Sequence, residues 1–87
     1  MNRDVTPGWK LVSIDVSGAE VILEGVHLWT HEREWRRTGE DPITVAHPSY
    51  PAQRHPMFVY ELILPSKRIR FAAGEFSNGV WGFYSPK

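Results

Sequence analysis

RIRFAAGEFSNGVWGFYSP, residues 68–86, decides the fold of this chain. Asn78-Gly79 stands between two aromatic-rich runs. A type I′ hairpin turn needs positive φ at both central residues, and Asn-Gly accepts that most readily. A two-residue loop there sets a register in which Ser77 faces Val80, Phe76 faces Trp81, Glu75 faces Gly82, Gly74 faces Phe83 and Ala73 faces Tyr84. Opposed residues share a face of the sheet. One face is therefore expected to carry Arg70, Ala72, Gly74, Phe76, Trp81 and Phe83, and the other Phe71, Ala73, Val80 and Tyr84. Phe83 over Gly74 would be an aromatic ring covering a strand glycine.

Working backwards, residues 58–64 alternate as a strand, and Pro65-Ser66-Lys67 turns the chain. A two-residue Ser66-Lys67 turn would pair Leu64 with Ile69, Leu62 with Phe71 and Tyr60 with Ala73. The reading is a C-terminal three-strand meander. Phe58, Tyr60, Leu62, Leu64, Ile69 and Phe71 form a nearly all-apolar face, which is the expected core. The other face mixes Val59, Ile63, Phe76, Trp81 and Phe83 with Glu61 and Arg70. A half-solvated antiparallel sheet would be polar there. Either the N-terminal half covers this face, or a partner does.

The N-terminal half reads less sharply. Residues 1–8 end in Pro7-Gly8 and are expected to be a flexible tail. Residues 9–16 alternate, Ser17-Gly18 breaks the run, and residues 19–23 resume it as a hairpin. Gly25 then suggests a bulge before residues 26–29. THEREWRRTG, residues 30–39, reads two ways: a strand with Trp29, His31, Arg33 and Trp35 on one face, or a short helix around residues 31–37, which Thr30 as N-cap and Gly39 as stop favour. Residues 41–57 hold four of the seven prolines and read as a proline-rich loop with one edge strand at 43–46. The fold class is mainly β, a small antiparallel barrel or two-layer sheet in one domain of 87 residues. The alternative is α+β, with the 31–37 helix packed on the sheet.

Ten basic and ten acidic residues give no net charge, which argues against a surface built wholly for nucleic acid. The chain has no cysteine, which suits a reducing compartment and leads to a cytoplasmic expectation. No stretch reads as a signal peptide or as a membrane span.

Catalytic chemistry finds little support. The serines lack a nucleophile elbow, the glycines are scattered, and Glu32/Glu34 and Glu40/Asp41 lie in charged stretches. No cofactor is implied. His27, His31, His47 and His55 are the candidate metal ligands of an alternative metal- or small-ligand-binding reading, but their spacing matches no ligand motif. A second alternative is a small barrel that stacks single-stranded nucleic acid on its aromatic face. The expected function is a non-enzymatic binding or accessory module that meets a protein partner, or a second copy of itself. The candidate partner-binding residues are Arg70, Phe76, Trp81 and Phe83 of the aromatic face, with Tyr50 and Arg54 of the proline-rich loop.

Overall fold

The computed structural model describes residues 7–87. It holds one six-stranded antiparallel sheet, a separate two-stranded ribbon and a short 3-10 helix. In chain order the elements are β1 (Trp9–Val16), β2 (Ile22–Leu23), β3 (Val26–His27), the 3-10 helix Trp29–Glu34, β4 (Arg36–Arg37), β5 (Ile43–Ala46), β6 (Arg54–Leu64), β7 (Lys67–Ser77) and β8 (Val80–Pro86). The sheet runs β1-β8-β7-β6-β4, and β5 also pairs with β6. It does not close, so of the two β architectures expected, the layered sheet stands and the closed barrel does not.

The three-strand meander is present, and Asn78 and Gly79 both have positive φ, at 52° and 76°. The expected register does not survive beyond the turn. Ser77 opposes Val80, but Glu75 then opposes Trp81, Gly74 opposes Gly82 and Ala73 opposes Phe83. Phe76 is the extra residue of a β-bulge. One inserted residue moves every later side chain to the other face. Phe76 therefore lies with Ala72 and Tyr84, while Trp81 and Phe83 lie with Phe71 and Ala73. The expected shared face of Phe76, Trp81 and Phe83 is corrected accordingly.

Phe83 does not cover Gly74. The glycine under an aromatic ring is Gly82, where a Cβ would sit 2.7 Å from Phe76 Cε2. The β6–β7 turn is Pro65-Ser66, so Tyr60 opposes Phe71 and Leu62 opposes Ile69. That is a slip of two residues from the expected pairing. A slip of two keeps each side chain on its face, and the predicted core face holds.

The N-terminal segments depart further. β1 has the expected bounds but pairs with β8 at the far edge, not with residues 19–23. Ile22–Leu23 instead pairs with Val26–His27 across Glu24 and Gly25, whose φ values of 52° and 80° make a tight turn rather than a bulge. The expected 31–37 helix is a 3-10 helix over Trp29–Glu34. Thr30 lies inside it and donates its hydroxyl to His27 O at 2.8 Å, so it is not the cap. The helix stops at Trp35, which is extended, and Arg36-Arg37 pair with Glu61 and Tyr60. The 41–57 region is half strand: β5 falls where the edge strand was expected, and β6 begins at Arg54. The loop proper is residues 47–53. Of the expected tail, residues 1–6 lie outside the described residues, and Gly8 O accepts from Lys87 N at 2.9 Å.

Both faces are covered by the chain itself. On one, Val21 and Leu28 join Leu62, Ile69, Phe71, Ala73 and Phe83 in a buried cluster. Trp29 and Trp35 pack against it, with Trp29 5.6 Å from Phe83 and Trp35 5.2 Å from Phe71, both edge-on. Edge-to-face contacts suit the aromatic quadrupole. On the other face, Ile43 and Val45 of β5 join Met57, Val59, Ala72, Phe76 and Tyr84. No helix among the described residues is long and apolar enough to cross a membrane.

Candidate functional site: an aromatic groove beneath Arg37

The cover over the first face stops short of its end. Beyond Trp35, residues Arg37, Pro56, Phe58, Tyr60, Ala73, Gly74, Glu75 and Trp81 line an open groove of about 360 Å³. Its placement follows from the ladders. Arg37 opposes Tyr60, Phe58 opposes Ala73, and Glu75 opposes Trp81. Ala73 and Gly74, both buried, leave a low strip between taller rings. Phe58, Tyr60 and Trp81 are each only partly buried. Two of them are backed by other rings: Trp81 meets Trp29 at 5.3 Å, and Tyr60 meets Trp35 at 5.5 Å. Trp35 is held in turn by its indole N–H, which donates to Leu28 O at 3.0 Å.

Arg37 supplies the charge. Its guanidinium lies 4.0 Å from the Phe58 ring centre and 5.9 Å from that of Tyr60. Arginine stacks on rings through its flat face, which leaves the N–H fork at its edge available. Arg37 enters no ion pair among the described residues. Glu75, on the opposite rim, accepts from Gly79 N at 2.7 Å and steadies the β7–β8 turn. The groove thus offers fixed aromatic faces, one stacked cation and a carboxylate already engaged.

Of the expected partner-binding residues, Trp81 alone lines this groove. Phe76 and Phe83 are buried in separate clusters, one on each face. Arg70 lies on the opposite face from the groove and is occupied. Its guanidinium grips the Glu40 carboxylate through two N–H groups and lies 4.9 Å from the Trp9 ring centre. That grip lowers the Glu40 pKa, helped by a hydrogen bond from Thr38, and raises that of Arg70. Tyr50 is 60% exposed on the 47–53 loop, and Arg54 is exposed at the start of β6. Arg37 stands out in the sequence only as part of a candidate basic patch with Arg33 and Arg36, and Phe58, Tyr60 and Glu75 do not stand out as site residues. The first depends on the two-residue β4, and the rings read as core.

The four histidines occupy three places. His27 lies 3.5 Å from Glu20, and His31 Nδ1 lies 2.7 Å from Glu34. His47 and His55 pack together with ring centres 5.3 Å apart, against Phe76. His47 Nδ1 accepts from the backbone N–H groups of Ser49 and Tyr50 at 3.0 and 3.2 Å. Its role there is to pin the proline-rich loop. His55 Nε2 is buried without a hydrogen-bond partner. Among the described residues, no group of three or more histidine or acidic side chains is placed to hold a metal ion. Comparison of the chain with family models, with curated proteins and with solved structures returns no match.

Proposed function

We propose that this chain is a non-enzymatic binding module that takes a short segment of a protein partner in the groove beneath Arg37. The observation that carries the reading is Arg37 itself: a guanidinium stacked on Phe58 with no ion pair among the described residues. Flat apolar faces beside a free donor fork fit a segment that brings a proline or aromatic ring together with a carboxylate. Rigid rings already packed in place lose little entropy when a ligand arrives. Single-stranded nucleic acid fits less well. The chain has no basic excess, so a run of backbone phosphates would find few cations to neutralise it.

Selection of displayed random peptides on the intact protein tests this. Enriched sequences should combine a proline or aromatic residue with Asp or Glu, and Arg37→Glu should abolish their binding. Failure to enrich such peptides, or binding unchanged by Arg37→Glu, would refute the peptide reading. Binding of single-stranded oligonucleotides in place of peptides would transfer the groove to nucleic acid.

A further inference from the structure

The edge strand β1 has its own surface, distinct from the groove. Among the described residues no strand lies against its outer side. Leu11, Ile14 and Val16 are 51%, 38% and 57% exposed. They share one face, since they oppose Tyr84, Gly82 and Val80. In a regular strand Leu11 and Ile14 would point to opposite faces. The bulge between Leu11 and Ser13 aligns them. An open edge bearing apolar residues is a template for another strand.

The bulge also narrows which strand fits. When β1 lies antiparallel to a second β1 about a two-fold axis between Val12 and Ser13, Lys10 of each copy faces Asp15 of the other. Leu11 then faces Ile14, and Trp9 faces Val16. The faces agree: Lys10 opposes Ser85 and Asp15 opposes Trp81, on the same side as Phe83, while the four apolar residues lie on the other. Shifting the register by one residue sets Lys10 against Val16 or Ile14, and Leu11 against Asp15 or Ser13. Only the first register matches charge with charge and apolar with apolar. Neither Lys10 nor Asp15 enters an ion pair among the described residues.

We infer that this chain forms a two-fold homodimer by antiparallel β1–β1 pairing in the Lys10–Asp15 register, which joins two sheets into one. The contact is isologous, so each charge pair occurs twice. Sedimentation velocity on the untagged protein, from micromolar to millimolar, reads the state directly. A dimer is expected. Lys10→Asp and Asp15→Lys should each weaken it by roughly tenfold or more, since two attractions become two repulsions. The double exchange should restore it. A native-like ¹H–¹⁵N spectrum establishes that each variant folds, and either single variant serves if the other does not. A monomer at every concentration would overturn the inference, whether or not β1 takes up a foreign strand. So would a dimer indifferent to the single changes, or a folded double variant that stays monomeric. Peptide binding in the groove is a separate readout and does not enter this outcome.

Discussion

The two faces of the sheet are both covered, but by unlike materials. On the Phe76 face the cover is β5, hydrogen-bonded along Ile43–Ala46 to the first residues of β6, Arg54 to Met57. On the Phe83 face it is a plug: Val21, Leu28 and two indoles brought in by a 3-10 helix. A ribbon of backbone seals whatever it crosses. A plug seals only the area beneath its side chains, and the groove begins where Trp35 ends. An aromatic-rich small chain can therefore form a core and a recognition surface from one continuous set of rings.

The difference predicts unequal energetics. Phe83→Ala removes the ring on which Trp29 and Trp35 both rest. It should cost about 3–5 kcal/mol. Val45→Ala, on the buried side of the β5 ribbon itself, should cost about 2 kcal/mol from the apolar groups lost. Urea unfolding of both variants checks the order, and equal losses would mean that the plug is not the more heavily committed side.

A second contrast concerns the 47–53 loop. His47→Ala removes the acceptor for two backbone N–H groups and should cost about 1 kcal/mol, with faster hydrogen exchange at Ser49 and Tyr50. His47→Asn keeps an acceptor at nearly the same place and should recover most of the protection. Identical exchange in the two variants would remove His47 as the pin.

The smallest effect lies at Arg70. Its grip lowers the Glu40 pKa, so the folded carboxyl protonates below its unfolded counterpart. Such a group stabilises the fold above the unfolded pKa, and that contribution disappears as pH falls through the folded one. Glu40 and Arg70 are 41% and 43% exposed, so Glu40→Gln should cost no more than about 1 kcal/mol at neutral pH. The gap between the variant and the parent should narrow as pH falls through the lowered folded pKa of Glu40 and vanish once both states hold the proton. A gap that persists in acid would assign the loss to the contact with Thr38 instead.

Local chemistry made part of this legible from sequence. Asn78-Gly79 set the last hairpin, alternation set the bounds of β1 and the core face of β6, and the flanking prolines marked the edge strand β5. The Phe76 bulge was not legible, because it depends on Gly82 offering room beneath the ring across the ladder. That one residue split the expected aromatic face in two. The pairing of β1 with β8 joins opposite ends of the chain and leaves no local mark. The groove was hidden for a related reason. Phe58 and Tyr60 alternate as core residues do, and only the length of the Trp29–Trp35 cover decides that they stand at its margin.

The most direct test is a ¹H–¹⁵N titration of the isotope-labelled protein with a selected peptide bearing an aromatic or proline residue and a carboxylate, read at the four indole N–H signals and the Arg37 side chain. The account predicts large shifts at Trp81 and Arg37, with Trp35 held still by its bond to Leu28 O. Shifts centred instead on Tyr50 and Arg54, with Trp81 and Arg37 unmoved, would contradict it and move recognition to the proline-rich loop.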